Sequence, residues 1–294
     1  MKTMGTDIPL YNAGKLPVRY ALMVKNDMMS FPEINHWHDD MEFICVNKGK
    51  VSISVNGKTY DIYEGQMLFI NSGQMHYALN DQEGSWMYRQ ITIHPNLIFS
   101  NEYSKEYYDK LCGEGAAPFL VFSSGSNRQK VIIDKVMQVF EHLYKGNDPL
   151  DIISETSKLA SLMVNFLESR PSAKEKKDKD LMAMFKMVSA IQMGYKDKLP
   201  LNDIARAGGI GRSKCCELFR SYWDLSPNDY LNLYRLSKSA LLFRNDKLPI
   251  GEIAKECGFA GASYYAETFK KVMGLSPTDY KKKTSVKTFA NSDV

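Results

Sequence analysis

Residues 204–230 read IARAGGIGRSKCCELFRSYWDLSPNDY, and residues 253–280 repeat the pattern as IAKECGFAGASYYAETFKKVMGLSPTDY. Ile204 and Gly209 recur forty-nine residues later, whereas Phe219 recurs fifty residues later, so the second turn is one residue longer. A close-packing Ile-Ala pair followed by a glycine that can take a positive φ is typical of two helices joined by a tight turn. The repeat therefore predicts two helix-turn-helix units.

Helical spacing divides the second helix of each unit into two faces. We expect these helices to begin near Ser213 and Ser263, each acting as an N-cap. The residues predicted to face inward are Cys215, Leu218 and Phe219 in the first copy and Tyr265 and Phe269 in the second. The residues predicted to face outward are Ser213, Lys214, Cys216, Glu217 and Arg220 in the first copy and Ser263, Tyr264, Ala266, Glu267, Lys270 and Lys271 in the second.

Charge is concentrated around this repeat. The chain of 294 residues carries a formal net charge of +4. Residues 181–284 hold 17 Lys and Arg against 10 Asp and Glu, whereas the remainder holds 21 against 24. A helical solenoid needs more than two copies. An exposed basic helix can be merely a solvated face, but a basic module on a mildly acidic chain indicates binding to a phosphate backbone.

The second copy resembles the signature of the AraC/XylS transcriptional regulators, IxEIAxxxGF followed by SYYxxxFKKxxGLSPxxY. The matching residues are Ile250, Glu252, Ile253, Ala254, Gly258, Phe259, Ser263, Tyr264, Tyr265, Phe269, Lys270, Lys271, Gly274, Pro277 and Tyr280. The likeness extends through the connecting segment PNDYLNLYRLSKSALLFRND and back to a helix starting near Leu181. It implies that one long helix joins the two units.

The family resemblance also implies how the units would contact double-stranded DNA, with two recognition helices in successive major-groove segments. By position in the motif, the residues that read base edges are Ser213, Cys216, Glu217, Ser263, Ala266 and Glu267. The residues that contact phosphates are Arg212, Lys214, Arg220, Lys270 and Lys271. Members of the family often carry a basic residue where this chain has Glu217 and Glu267, and a carboxylate can read only a donor such as cytosine N4.

Residues 17–95 show short alternating apolar runs separated by Gly, Asn and Asp, which indicates a compact antiparallel barrel. The predicted strands are 18–24, 41–46, 51–55, 67–70 and 86–93. Asn56-Gly57 predicts a tight hairpin and Glu64-Gly65 predicts the next turn.

A polar pattern inside the barrel resembles that of the cupins. It comprises His36, His38, Glu42 and Gly49, then Gly65, Gly73, His76 and Asn80, with Asn71 in place of Pro and Ser30 in place of the first Gly. Such histidines and a glutamate could hold a metal ion. However, the sensor domains of the resembled family are regarded as effector pockets without a catalytic metal, so we expect no metal or other cofactor.

We therefore expect the barrel to bind a small-molecule effector. The predicted effector-binding residues are His36, Trp37, His38, Glu42, His76, Tyr20, Trp86 and Arg89. Aromatic faces stack on sugar rings and Arg pairs with carboxylates or phosphates, although each residue could equally be ordinary barrel packing. Along 86–93 the alternation allows only one of two faces to line the pocket, and the pattern leaves open which.

The fold class predicted is α+β: an N-terminal cupin-like antiparallel β-barrel with flanking helices, then an all-α domain with two helix-turn-helix units joined by a long helix. Apolar stripes predict helices over 128–145 and 151–168. Such helices could simply cover the barrel. In the resembled family, however, this segment commonly carries the dimer contact, so a homodimer is expected. The predicted divisions are 1–170 (barrel about 17–95, helices about 100–170), a charged linker at 171–180, the DNA-binding domain at 181–284 and a tail at 285–294.

The sequence shows no N-terminal hydrophobic run and no apolar segment of about 18 residues, so neither secretion nor membrane insertion is expected. Five cysteines without CxxC spacing fit a reducing cytosol. These features predict a cytoplasmic protein that does not associate with membranes. The function predicted is a ligand-responsive transcription regulator, with a sugar as the suggested effector and RNA polymerase as a further candidate partner. Two alternatives stay open: a metal-dependent cupin enzyme with an appended DNA-binding module, and a constitutive DNA-binding protein with a vestigial barrel.

Overall fold

The computed structural model describes residues 16–24, 36–79, 84–100, 102–113, 116–169, 178–243 and 248–282. These residues form two compact units that divide at Asp178, here called the barrel unit (described residues up to 169) and the helical unit (178–282). Some predicted features lie outside the described residues, namely Ser30, Asn80, the linker at 171–177 and the tail at 285–294.

The barrel unit contains eight strands in two antiparallel sheets. The strands are β1 Val18–Val24, β2 Met41–Lys48, β3 Lys50–Val55, β4 Lys58–Tyr63, β5 Gln66–Ile70, β6 His76–Ala78, β7 Met87–Ile93 and β8 Phe119–Ser123. Five strands pair in the order β1-β7-β2-β5-β8, and three pair in the order β4-β3-β6. All five predicted strands are present, and the prediction of an antiparallel barrel is confirmed.

The hairpin turns follow from residues that tolerate the left-handed region. Asn56 and Gly57, with φ of 51° and 79°, join β3 to β4, as the Asn-Gly pair predicted. Gly65, with a φ of 79°, forms the predicted turn before β5. At Gly49, also at positive φ, an added Cβ would overlap the carbonyl oxygen of Ser85, so this close approach requires glycine.

Both faces of the five-stranded sheet are buried. On β2, Met41, Phe43 and Cys45 pack in one apolar core with residues of the flanking helices. Alternate residues Ile44 and Val46 pack in a second core with residues of the three-stranded sheet. The period-two geometry of a strand thus separates a helix-facing side from a barrel interior.

Three helices accompany the sheets: α1 Lys105–Cys112, α2 Asn127–Tyr144 and α3 Pro149–Glu168. The apolar stripe predicted on α2 is buried throughout. The prediction gave a barrel over about 17–95 and helices over about 100–170. The second range also contains a strand, β8, which returns to the sheet and pairs with β5. The strands β4 and β6 were also not predicted.

The helical unit has six helices among its described residues: α4 Lys179–Gly194, α5 Leu201–Ala207, α6 Arg212–Trp223, α7 Pro227–Leu242, α8 Ile250–Glu256 and α9 Ala262–Met273. The two predicted helix-turn-helix units are therefore α5-α6 and α8-α9, joined by α7. The predicted linker extends too far, since Asp178 caps α4 by accepting from the amides of Asp180 and Leu181. No helix of the described residues is long and apolar enough to cross a membrane.

The repeat is preserved in local geometry. Gly209 and Gly258 both adopt a positive φ, at 70° and 79°, in the two turns. Before α7, the Ser226 hydroxyl accepts from the amide of Asp229 while the Asp229 carboxylate accepts from the amide of Ser226. After α9, the Ser276 hydroxyl likewise accepts from the amide of Asp279. The Ser-Pro-x-Asp segments are therefore helix starts in both copies.

Candidate functional sites

Four predicted residues meet at one end of the barrel interior. Glu42 lies on the interior side of β2, opposite Thr92 on the neighbouring strand β7. His76 begins β6 in the other sheet, and His36 forms an isolated antiparallel bridge with it. His38 lies in the segment between that bridge and β2. We call His36, His38, Glu42 and His76 the histidine cluster.

The cluster is compact and almost inaccessible to solvent. The Nε2 atoms of His38 and His76 each lie 3.4 Å from Oε2 of Glu42. The imidazole centroids of His36 and His76 are 4.6 Å apart, and those of His38 and His76 are 5.0 Å apart. His38, Glu42 and His76 are at most 4% exposed, and only His36 is half-buried.

Two opposing effects act on the Glu42 carboxyl. Burial by itself raises its pKa, but the adjacent imidazoles of His76 and His38 together lower that pKa well below the ordinary value. Its other oxygen, Oε1, is buried and has no hydrogen-bond partner among the residues that the structure describes. The hydroxyl of Thr92 is likewise buried and has no hydrogen-bond partner among the described residues.

The turn between β5 and β6 positions two of the histidines. The amide of Gly73 donates to the carbonyl oxygen of His38 at 2.8 Å. The carbonyl oxygen of Gln74 lies 2.8 Å from Nδ1 of His76. Gly73 has a φ of 71°, so the glycine predicted from the cupin-like pattern has a conformational role.

Asn71 explains one departure from the cupin-like pattern, which places Pro at this position. The side-chain Nδ2 of Asn71 donates to the carbonyl oxygens of Leu111 and Ala117. Its backbone N–H donates to the carbonyl oxygen of Pro118. Proline could make none of these hydrogen bonds. The substitution therefore ties the end of β5 to the segment between α1 and β8.

The structure also decides which face of β7 lines the interior. Tyr88, Gln90 and Thr92 face inward, and Trp86, just before the strand, stacks on Tyr88 with a centroid distance of 5.6 Å. Trp37 is buried next to His36 and His38 in the chain. Trp86 and Tyr88 are therefore on or near the interior wall.

Two predicted pocket residues lie on the opposite, helix-facing side of the sheet. The guanidinium of Arg89 stands over the ring of Phe140 on α2, 5.4 Å from its centroid. Tyr20 packs edge-on against Phe140 and Tyr144. The expectation that Tyr20 and Arg89 line one pocket with the histidines is wrong, because strand alternation directs them away from the interior.

One residue near the cluster was not predicted from the sequence. Asp40 is 2% exposed, and its Oδ2 lies 3.7 Å from Nδ1 of His38. Its backbone carbonyl oxygen also lies 3.2 Å from that nitrogen. The only sequence signal was an acidic residue two positions after the histidine, a weak one because acidic residues are common in loops.

In the helical unit, the predicted faces of α6 and α9 are confirmed. The predicted inward residues Cys215, Leu218, Phe219, Tyr265 and Phe269 are all at most 2% exposed. The predicted outward residues are exposed, except that Lys214 and Ala266 are half-buried. Cys215 and Cys216 lie on opposite faces, and all five cysteines are free.

The predicted N-caps are wrong. Gly211 and Gly261 occupy the N-cap positions, and neither helix has a side-chain cap. Ser213 and Ser263 lie instead within the first turn, exposed to solvent. This placement leaves both hydroxyls available to an external partner.

The cations on the two outward faces differ in their partners. Lys214 Nζ lies 2.8 Å from Oε1 of Glu217 and 3.1 Å from Oδ2 of Asp180 on α4. Arg220 Nη1 lies 3.1 Å from Oδ1 of Asp224. On α9, Lys270 and Lys271 are exposed and form no ion pair with any residue in the described ranges.

The two helix-turn-helix units are joined by buried polar contacts. Arg235 on α7 donates from Nε to the carbonyl oxygen of Tyr195 at 2.7 Å and from Nη2 to that of Asp197 at 2.9 Å. Its guanidinium also stands over the ring of Phe259. The turn after α4 thus contacts the joining helix, whose Arg235 also packs on the second unit, and α5 follows directly from that turn.

Comparison with known proteins gives a consistent picture. The family model described as an AraC-like ligand binding domain matches residues 22–162, and a helix-turn-helix domain model matches residues 204–283. A Bacillus subtilis protein, the uncharacterized HTH-type transcriptional regulator YdeC, is 28% identical over 85% of this chain and 86% of its own length. The Msm operon regulatory protein of Streptococcus mutans is 26% identical, covering 82% and 83%.

Among solved structures, ToxT from Vibrio cholerae aligns over 90% of this chain and 96% of its own, with a TM-score of 0.49 and 16% identity. The two family models together span most of the sequence, and their order matches the order of the barrel and helical units. The chain therefore belongs to the AraC family of ligand-responsive, helix-turn-helix transcriptional regulators.

Proposed function

We propose that this regulator acts by binding rather than by catalysis: a small molecule occupies the barrel unit and thereby changes how the helical unit engages an operator. The observation that carries this proposal is the presence, in one chain, of a buried polar cluster in a barrel and of two exposed basic helix faces. A ligand can shift an equilibrium between two states of the protein only through its different affinity for them.

For the DNA interface, we propose that α6 and α9 enter successive major-groove segments. Their exposed outward residues support this assignment. Base edges would be read by Ser213, Cys216, Glu217, Ser263, Ala266 and Glu267. Phosphates would be bound by Arg212, Lys214, Arg220, Lys270 and Lys271, with Tyr264 beside them. Since the two sets of readers differ, each subunit would recognise an asymmetric site.

For the effector, we propose a small polar molecule such as a sugar. The interior side of β7 supports this class, since Gln90 and Thr92 offer hydrogen-bonding groups and Trp86 and Tyr88 offer aromatic faces. The histidine cluster and Trp37 would complete the site. The interior is polar at the cluster end and apolar around Ile44 and Val46, so the polar groups of a ligand would lie at the cluster end.

We further propose that the regulator is a cytoplasmic homodimer. Exposed apolar side chains on the helices of the barrel unit support a helix-on-helix interface, among them Val131 on α2 and Leu150 on α3. Regulation at a promoter makes RNA polymerase a further partner. A DNA-binding regulator must share a compartment with the chromosome, which supports the cytoplasmic location.

The DNA interface can be tested with DNA selected by the wild-type protein from a random pool. Changing Lys270 and Lys271 together to Ala should lower affinity more than tenfold at moderate salt, because two phosphate contacts and their released counterions are lost. Fluorescence anisotropy titrations at several salt concentrations measure this loss. The matched control is Lys48→Ala with Lys58→Ala, two exposed lysines of the barrel unit. Equal affinities for the two double variants would contradict the assignment.

A further inference from the structure

A side chain of the joining helix contacts the outward face of the second recognition helix. Asn232 on α7 donates from Nδ2 to the hydroxyl oxygen of Tyr264, in the first turn of α9, at 2.8 Å. Asn232 is 6% exposed, whereas Tyr264 is 45% exposed. The ring of Tyr264 also packs near that of Phe259, in the turn before α9, with a centroid distance of 6.0 Å. A buried residue therefore fixes the position of a polar group at the surface.

This hydrogen bond determines what the Tyr264 hydroxyl can still do. An amide nitrogen only donates, so the bond from Asn232 uses the hydroxyl oxygen as an acceptor and leaves the hydroxyl proton free. Among the residues that the structure describes, no acceptor takes that proton. The hydroxyl therefore presents a donor, held in a restricted direction, to a partner outside α9.

The first copy of the repeat has Lys214 at the position of Tyr264, fifty residues earlier. Lys214 is likewise held by the helix that precedes its unit, since its Nζ lies 3.1 Å from Oδ2 of Asp180 on α4. The two anchors act in opposite senses. The carboxylate of Asp180 occupies a donor proton of Lys214, whereas the amide of Asn232 leaves the donor proton of Tyr264 available. The second unit thus offers an unused donor where the first unit shares its donors with carboxylates.

The position of Tyr264 on α9 favours a phosphate over a base edge. Ser263 and Glu267 lie near the middle of the outward face, whereas Tyr264 lies at the side of that face nearest α7. Lys271, seven residues after Tyr264, lies on the same side and is exposed. Side chains at the edge of a recognition helix meet the DNA backbone, and tyrosine hydroxyls are among the groups that donate to phosphates. A phosphate oxygen is an acceptor, which is the partner that this hydroxyl requires.

We propose that Asn232 is a positioning residue for DNA binding, which holds the Tyr264 hydroxyl so that it donates to a phosphate of the DNA segment contacted by α9. The inference rests on the proposed function, because it takes α9 to enter the major groove. It goes further by assigning a role to a buried residue of the joining helix. A neutral donor releases no counterion when it binds, so its contribution depends on salt differently from that of a lysine.

The test uses the whole chain and the DNA selected by the wild type. Tyr264→Phe removes only the hydroxyl and should lower affinity about tenfold, the effect of losing a hydrogen bond to a charged acceptor. The slope of affinity against salt should stay unchanged, whereas changing Lys270 and Lys271 to Ala should make it less steep. The control Tyr63→Phe removes a hydroxyl from an exposed tyrosine of β4 and should not change affinity. Unchanged affinity in Tyr264→Phe, or an altered salt slope, would overturn the proposal.

Substituted DNA distinguishes a phosphate from a base edge. Each base pair of the selected site is replaced in turn, and the affinities of the wild type and Tyr264→Phe are compared on each DNA. A phosphate contact predicts the same ratio of affinities on every DNA. A ratio that returns to one after replacement of a single base pair would show that the hydroxyl reads that base, and would refute the phosphate assignment.

A double-mutant cycle tests the role of Asn232. Asn232→Asp places an acceptor where the amide nitrogen donates, so the carboxylate takes the hydroxyl proton and affinity should fall about as far as in Tyr264→Phe. In the Tyr264→Phe background the same change should cost less than about threefold. Asn232→Ala, which adds no charge, should also lower affinity only when the hydroxyl is present. Thermal melting followed by circular dichroism verifies that each variant is folded, and equal losses in both backgrounds would show that Asn232 acts without the hydroxyl.

The wild type separates a failure of this inference from a failure of the proposed function. Specific DNA binding by the wild type, together with unchanged affinity in Tyr264→Phe, would overturn this inference alone. A wild type that selects no sequence from the pool would overturn the proposed function and, with it, the inference that rests on it.

Discussion

Two glycines that are equivalent in the repeat have different surroundings. Gly209 and Gly258 share a positive φ, but a Cβ on Gly209 would meet no atom within 4 Å. A Cβ on Gly258 would overlap the carbonyl oxygens of Tyr195 and Lys196 in the turn after α4. Only the second glycine is therefore required both by conformation and by close packing.

We expect Gly209→Ala to lower the free energy of unfolding by about 1–2 kcal/mol, the cost of a left-handed alanine. Gly258→Ala should cost about 2 kcal/mol more, because the backbone at Tyr195 must move to relieve the overlap. Urea denaturation of both variants, followed by circular dichroism, measures the difference. Each alanine variant serves as the control for the other, and equal losses would contradict the packing argument.

At this scale the polar residues of the barrel were largely predictable. The spacing of His36, His38, Glu42 and His76 was sufficient to group them, because each residue type is unusual inside a barrel. The placement of Tyr20 and Arg89 was not predictable. Both faces of their sheet are buried, so the usual contrast between a polar and an apolar side is absent.

At the scale of the element, α6 and α9 share one scaffold but carry their positive charge differently. Lys214 is held between Glu217 and Asp180, whereas Lys270 and Lys271 have no ion pair within the described residues. A phosphate must compete with two carboxylates for Lys214. The second unit therefore offers the more available cations, and the first offers a cation that is partly neutralised.

Asp180→Asn should strengthen DNA binding about two- to fivefold, since an exposed ion pair is worth at most about 1 kcal/mol. The control Glu256→Gln removes the same charge from the helical unit, but its partner is Lys196, which is not a proposed DNA contact. Anisotropy at low and moderate salt compares the two variants. An equal gain in both would mean that only net charge matters and that the ion pair has no specific effect.

Strands and helices were predictable where their own residues show a clear hydrophobic periodicity. The strand β1 has the predicted bounds, and α2 and α3 lie within one or two residues of theirs. In contrast, β4 has one buried residue, Ile62, so its apolar signal is weak. The segment FLVFS of β8 is apolar enough, but its partner β5 lies about fifty residues earlier, and no local pattern reveals a pairing at that separation.

At the scale of the whole molecule, the proposed dimer depends on exposed apolar side chains of the barrel unit. Val131 is 53% exposed on α2, and Leu150 is 74% exposed at the start of α3. Apolar side chains at such positions favour a self-complementary contact about a two-fold axis. A dimer would bring two asymmetric readers to one operator.

Light scattering coupled to gel filtration should show a dimer for the wild type at micromolar concentration. Val131→Arg should shift the protein toward the monomer, because two guanidinium groups would meet across the axis or be buried without partners. The matched control Met193→Arg alters a residue of the helical unit that is 70% exposed. A wild type that is monomeric throughout, or a Met193 variant that dissociates equally, would argue against this interface.

The contacts of Arg235 with Tyr195 and Asp197 have a consequence for the operator. Because of these contacts, we expect the two recognition helices, α6 and α9, to keep a fixed separation and a fixed relative orientation. The double helix repeats about every 10–10.5 base pairs, so inserting one base pair between the half-sites turns one of them by about 35° around the axis. Two helices held in one orientation cannot follow that rotation. The spacing between the two half-sites would then matter as much for DNA binding as their base sequence.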